Sequence, residues 1–278
     1  MTVGIIGLGL IGGSLAKAFR AKTNHQIWGL DRDAGTVAAA QAAGVLDGVL
    51  APDTLVMCEV LIVALPPGAA RVFLAEHAGR IAKGALVVDC CGVKRNICAE
   101  GFALAREHGF DFIGGHPMAG REYAGFQASQ VGLFEGASMI LVPPPEGGEA
   151  LAGRAREVFL PLGFGHAVVT TAEDHDTILA LTSQLAHVIS NAYVKSPRAQ
   201  AHHGFSAGSY ADLTRVARLN EQLWTELFLE NSDYLVAEID GFVQSLVACR
   251  DAIARQDRGK LEALLRHGRE CKERQDEH

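Results

Sequence analysis

Val3-Gly4-Ile5-Ile6-Gly7-Leu8-Gly9-Leu10-Ile11-Gly12, continued by Gly13-Ser14-Leu15-Ala16-Lys17-Ala18-Phe19, is the stretch from which the fold follows. Val3, Ile5 and Ile6 make the apolar run of a buried strand, and Leu15, Ala16, Ala18 and Phe19 are spaced as one face of a helix. Glycines occupy the turn between the two. Gly7 permits a tight turn, Gly9 lets the backbone approach a pyrophosphate, and Gly12 lets helix and strand pack closely. The phosphates would then lie at the helix N-terminus, beside Leu10 and Ile11. Glycine-rich strand ends can also serve structure alone, so a second feature is needed. It is supplied by the next strand, Gln26 to Leu30, which ends in Asp31, about twenty residues beyond the glycines, where a carboxylate would meet a ribose 2′-hydroxyl. The same carboxylate repels a 2′-phosphate, which favours NAD over NADP. Arg32 beside it can serve the phosphorylated cofactor, so NADP stays open.

The bulk properties narrow the class. A chain of 278 residues suits two ordinary domains, and a hydrophobic content of 49% is the globular level. A net charge of -7 leaves no basic footprint for nucleic acid or an anionic membrane, which points to a small-molecule partner. The six cysteines form no C-x-x-C pair, and Cys90 next to Cys91 is a poor basis for a disulfide framework, so they read as reduced thiols of a cytoplasmic protein. No signal peptide or membrane-spanning segment is expected.

Strand and helix continue to alternate. An alanine-rich helix from Ala34 to Ala43 is closed by Gly44, and Val60 to Leu65 is an apolar run, fit for a central parallel strand, that stops at Pro66-Pro67. Ligands bind beyond the carboxyl ends of parallel strands, so the turn at Leu65 and Pro66 is a candidate cofactor contact, with a plain proline stop as the alternative. Further strands are expected at 85–89, 110–114, 137–142 and 167–170, with helices at 69–81, 94–108 and 149–160. This rhythm implies a doubly wound parallel sheet over residues 1–171, followed by an all-helical domain over 172–278.

Polar groups gather at two strand ends, Asp89-Cys90-Cys91-Gly92-Val93-Lys94 and Gly114-Gly115-His116-Pro117-Met118-Ala119-Gly120-Arg121-Glu122. Histidine suits proton transfer near neutral pH, and glycines around His116 would let a ligand approach. Lys94 reads equally as an ordinary residue at a helix start. In the helical half, a helix from 172 to 195 would bury Ile178, Leu181, Leu185, Ile189 and Ala192. Ser183, His187 and Asn191 recur on another stripe, as the wall of a polar cleft or as a solvated face. Arg215 and Arg218 follow, either of them a carboxylate partner or a surface cation. Asn220 then caps a helix expected to run unbroken from 221 to 255, whose length suggests a helical homodimer. No metal-ligand spacing is present.

Taken together, these segments resemble the prephenate/arogenate dehydrogenase family of tyrosine biosynthesis. The resemblance rests on the glycine turn with Asp31, the 89–94 and 114–122 segments, Ser183-Gln184-Leu185-Ala186-His187, and Asp212-Leu213-Thr214-Arg215-Val216-Ala217 with Trp224 downstream. It implies a dinucleotide-binding domain of Rossmann type, joined to a helical substrate and dimerisation domain, that carries out NAD(P)-dependent oxidative decarboxylation of prephenate or arogenate. His116 would take the ring hydroxyl proton as hydride leaves the ring, and Arg215 would bind the side-chain carboxylate. His187 and Ser183 would line the substrate cleft, Glu122 would act as a second or gating acid, and Trp224 would pack at the cleft wall. Gly92 departs from the pattern, because most relatives carry serine there, with its hydroxyl near the substrate hydroxyl. Within these 278 residues no chorismate mutase or regulatory domain is expected. Two other readings remain: a β-hydroxyacid or imine dehydrogenase, which usually relies on a lysine on the interdomain helix, and a non-catalytic NAD sensor.

Overall fold

Alternation of apolar side chains builds a sheet with a core on each face. The computed structural model describes residues 1–121 and 123–276. Strands β1 (Thr2–Ile6), β2 (Gln26–Leu30), β3 (Gly48–Val49), β4 (Val60–Val63), β5 (Leu86–Asp89), β6 (Asp111–Pro117), β7 (Ser138–Val142) and β8 (His166–Val169) form one eight-stranded sheet in the order β3-β2-β1-β4-β5-β6-β7-β8. Ile5, Ile62, Val88, Ile113 and Leu141 face one core, while Ile6, Leu61, Val63, Val87, Phe112 and Val142 face the other. That is the period-two alternation of a sheet covered on both sides. Helices α1 (Leu10–Lys22), α2 (Ala34–Ala42), α3 (Pro67–His77), α4 (Arg95–His108) and α5 (Gly148–Phe159) connect the strands.

The expected doubly wound parallel sheet is present, with one antiparallel pair in it. β6 and β7 pair antiparallel, with His116 opposite Ile140 and Gly114 opposite Val142. β6 also runs on through Pro117, so His116 lies inside a strand and not in the loop behind it. Residues 118–137 contain only a short 3₁₀ turn, Phe126–Ala128, among the described residues, and this connection carries the chain back along the sheet instead of across it.

The strand order reverses between β1 and β4, which marks the crevice where ligands bind in such sheets. Gly7 lies there with φ +87, and a Cβ on it would come within 2.5 Å of the Ala64 carbonyl oxygen. Only glycine fits this turn.

Beyond β8 the chain is helical, but two expected helices are interrupted. The helix from 172 consists of α6 (Ala172–Leu179), a π-helical segment Ala180–Leu185 and α7 (Ala186–Tyr193). The wider turn rotates the stripe. Leu179, Ala180, Gln184 and Leu185 are buried, whereas Ile178 and Leu181, expected in the core, are 56% and 52% exposed. After α8 (Gly208–Thr214), the long helix expected over 221–255 is broken at Asn231 into α9 (Glu221–Glu230) and α10 (Ser232–Ala254). The side chain of Asn220 accepts from the Leu223 amide, capping α9 as expected.

Two compact units result, Met1–Asn231 and Ser232–His278. The second contains α10 packed against α11 (Arg258–Asp276). Among the described residues no helix is long and apolar enough to cross a membrane.

Candidate active site

At the carboxyl ends of β1, β2 and β4 the cofactor candidates converge. The Gly7 amide donates to the Leu30 carbonyl (2.8 Å), and the Asp31 carboxylate accepts from the Leu8 amide (2.8 Å) and the Asp33 amide (3.0 Å). The Asp31 carboxylate is thus fixed at the mouth of the glycine turn. A Cβ on Gly12 would lie 1.8 Å from the Gly7 oxygen, so α1 can start this close to the strand only with glycine there. A Cβ on Gly9, by contrast, would meet no atom within 4 Å, and no side chain caps α1 at Gly9. Open space over an uncapped helix N-terminus, with Leu10 and Ile11 in its first turn, suits a pyrophosphate. Leu65 is partly buried and Pro66 lies between it and the start of α3, while Arg32 is exposed beside Asp31.

The half-buried His116 sits two strands from this crevice, near the end of β6. Its Nδ1 is 2.9 Å from Nε2 of His175, and Nδ1 of His175 is 2.7 Å from Oδ1 of Asp176. His175 and Asp176 stand in the first turns of α6, at 2% and 0% exposure. Asp176 also accepts from the amides of Lys94 (2.8 Å) and Arg95 (2.9 Å) at the start of α4. Burial works against its charge, but hydrogen bonds from His175 and the Arg95 and Lys94 amides hold its carboxyl below the usual value. For the histidines burial dominates. It lowers His175 despite the Asp176 carboxylate, and together with His175 and Lys94 it lowers His116 well below the ordinary 6.5. Both rings are therefore neutral near pH of about 7.

Lys94 is a fully buried ammonium in the floor of the site. It pairs with the equally buried Asp89 and donates to the Gly115 carbonyl (2.7 Å), while Asp89 accepts from the amides of Cys91 (2.8 Å) and Gly115 (3.2 Å). Burial opposes its charge, yet Asp89 keeps it above the ordinary lysine value. This network fixes the backbone on which His116 stands.

The helical side brings a second set together. The Nδ1–H of His187 donates to the Ser183 carbonyl (2.9 Å), and the ring stacks on Trp224 at 3.7 Å between centroids. Burial lowers His187, with Arg215 acting in the same direction, which places that guanidinium in its electrostatic reach. Arg215 lines a cavity of about 560 Å³ with Tyr123, Thr214, Ala217 and Arg218. Gly92 faces α9, where a Cβ on it would stand 3.2 Å from Leu227. That room is filled by an apolar side chain. Glu122 lies outside the described residues, and among the rest no cluster is placed to hold a metal.

Sequence reasoning passed over His175 and Asp176. Their signal was spacing: 175 and 176 stand four residues before Leu179 and Ala180, both buried, so the pair shares the inward face of α6.

The family description "Prephenate dehydrogenase, nucleotide-binding domain" matches residues 15–167, and "Prephenate dehydrogenase, dimerization domain" matches residues 171–267. The cyclohexadienyl dehydrogenase of Zymomonas mobilis is 31% identical over 278 residues, 96% of this chain and 92% of that protein. The prephenate dehydrogenase of Bacillus subtilis is 29% identical over 296 residues, 99% of this chain and 75% of that protein. The structure of Aquifex aeolicus prephenate dehydrogenase, solved in complex with hydroxyphenyl propionate and NAD+, shares the fold at a TM-score of 0.84 and 24% identity, over 99% of this chain and 98% of that one.

Proposed function

The chain belongs to the prephenate dehydrogenase family, and on that premise we propose that it oxidatively decarboxylates prephenate or arogenate with NAD, on the route to tyrosine. The observation that carries this reading is His116, a neutral imidazole at a strand end of a nucleotide-binding sheet, with Nδ1 engaged by His175 and Nε2 left for substrate. A lone Rossmann-like sheet would support many chemistries, and this placed base narrows them.

NAD fits the crevice at the carboxyl ends of β1, β2 and β4. Gly7, Gly9 and Gly12, with the amides of Leu10 and Ile11, would hold its pyrophosphate, Asp31 its ribose hydroxyls, and the turn at Leu65 and Pro66 would flank it. Asp31 favours NAD, with Arg32 as the residue that would meet a 2′-phosphate. When bound, the nicotinamide supplies the hydride acceptor. Nε2 of His116 takes the proton of the ring hydroxyl as that carbon becomes a carbonyl. The ring carboxylate then leaves as CO₂, and the electron pair of the broken carbon–carbon bond aromatises the ring. The proton held by His116 returns to the resulting phenolate oxygen, so no net proton is released. Arg215 holds the side-chain carboxylate, and His187, Ser183 and Trp224 form the wall beside it, with Glu122 as an acid at the cleft entrance. Gly92 provides backbone only.

Residues 1–171 carry the nucleotide site in this reading, and residues 172–278 supply the substrate wall and a homodimer surface. We place the enzyme in the cytoplasm, with its six cysteines as thiols. Recording NADH formation with prephenate and, separately, with arogenate tests the reading. One of the two must be oxidised, and Arg215→Ala must raise the KM for that substrate while leaving the KM for NAD near normal. Absence of NADH with both acids would overturn it.

A further inference from the structure

We propose that His175, backed by Asp176, is a positioning residue that fixes the tautomer of His116. This role presupposes that His116 is the base. Donors and acceptors lie along one line: Asp176 Oδ1, His175 Nδ1 at 2.7 Å, and His175 Nε2 to His116 Nδ1 at 2.9 Å.

Asp176 is ionised and can only accept at this contact, because its two oxygens already take the amide hydrogens of Lys94 and Arg95 at the start of α4. His175 must therefore carry its hydrogen on Nδ1. A neutral His175 then has a bare lone pair on Nε2, so the hydrogen between the rings belongs to Nδ1 of His116. The remaining nitrogen of His116, Nε2, is left unprotonated. Three groups in a row thus leave one protonation pattern, and it is the one that a base at this position requires. Burial of both rings keeps them neutral and sustains the pattern.

Asp176 supplies the negative charge at the far end of this line. The other charged groups that bear on these rings are Lys94, which opposes a second positive charge, and its partner Asp89, which offsets it. Arg95 sits on the far oxygen of Asp176 at 3.4 Å. The thiol of Cys91, pushed up by burial first and then by Asp89, stays neutral. His175 is thus the sole route among the described contacts by which Asp176 reaches His116. Such a partner is not visible in the reacting atoms. It acts by holding the base in the right form.

The test uses His175→Phe, which keeps the ring volume without the acceptor, and His175→Gln, whose amide oxygen can still take the His116 Nδ1–H. For His175→Phe a kcat loss of roughly 10²-fold is expected with the KM for NAD unchanged, by analogy with other bases that lose their orienting partner. Nitrogen chemical shifts of the His116 ring should report Nδ1–H alone in the wild type and a mixture of tautomers in His175→Phe, a readout that needs no turnover. His175→Gln should recover most of the rate and the single tautomer. The proposal is overturned if His175→Phe keeps wild-type kcat and a single tautomer. It is equally overturned if both variants lose activity alike while the tautomer stays put, for His175 would then serve only the fold. A His116→Asn variant with near-normal kcat would instead remove the base assignment itself, leaving the ring-nitrogen measurement to judge the tautomer.

Discussion

The proposed base, His116, stands in surroundings that make it harder to protonate. Burial, then His175 and Lys94, hold it well below the ordinary 6.5, and a base works only in its neutral form. Activity should therefore persist as pH falls through 6.5, and the acid limb of kcat/KM should lie below that value. His116→Asn should lower kcat by on the order of 10² to 10⁴, erase that limb and leave NAD binding intact. An acid limb at or above the ordinary histidine value in initial-rate data would contradict so buried an environment. In the proposed reading, cofactor choice rests on Asp31, whose two oxygens are set by the Leu8 and Asp33 amides beside the glycine turn. Asp31→Ser should shift the kcat/KM ratio from NAD toward NADP, because it removes a charge that repels a 2′-phosphate. A wild-type preference for NADP would make Arg32 the deciding residue instead. His116 was legible before the structure because glycines flank it on a strand end. His175 was not, because its partner is 59 residues away in sequence and it follows Glu173 and Asp174, acids that belong to any helix start.

Elements were legible where an apolar run is short and bounded, as in β4, and illegible where one residue changes a turn. The π-helical segment Ala180–Leu185 adds no unusual residue, so its i, i+4 pattern still reads as a plain helix. Its effect is to aim Gln184 inward, where Nε2 donates to the Leu227 carbonyl (2.9 Å) and Oε1 accepts from Asn231 (2.7 Å). Asn231 also donates to the Asp176 carbonyl (2.8 Å) and accepts from Arg95 (3.1 Å), and it is fully buried at the end of α9. Asparagine is only mildly unfavourable in a helix, which is why the sequence pattern ran through it to 255. Its side chain is instead the polar pin that joins α4, α6, the π-helical segment and α9. Asn231→Leu should remove this pin and leave the Gln184 oxygen buried without its donor, at a cost of about 1–3 kcal/mol in urea unfolding. A variant as stable as the wild type would show that water or a neighbouring amide replaces it.

At the scale of the whole molecule, the buried charges set how folding responds to acid. His116 and His175 are lowered by burial from 6.5, so the unfolded chain binds more protons than the folded one once pH drops below 6.5. Their contribution is complete above that value and is lost as pH falls toward the folded pKa values. Asp176, lowered from 3.8 despite burial by the bonds it accepts, adds a second loss below 3.8. The melting temperature should thus begin to fall just under 6.5, and His175→Gln should flatten that first slope; an unchanged slope would mean the rings are not buried neutral.

The dimer proposed above would form through α10, whose sequence reads as a heptad seam: Val236, Ile239, Val243, Leu246 and Ile253 fall at three- and four-residue steps, with Arg250 in the remaining position. Val236, Val243, Leu246 and Ile253 are 54%, 47%, 54% and 61% exposed, a stripe of branched apolar side chains that water covers poorly. In the proposed dimer a second copy of the same stripe would cover it, because a two-fold axis at the helix would set each apolar residue against its equivalents. The wild-type protein should sediment as a dimer. Val243→Glu with Leu246→Glu places like charges across the axis and should yield monomers with unchanged helix content in circular dichroism. If the double variant stays dimeric, the contact lies elsewhere, and α10 presents its stripe to some other surface.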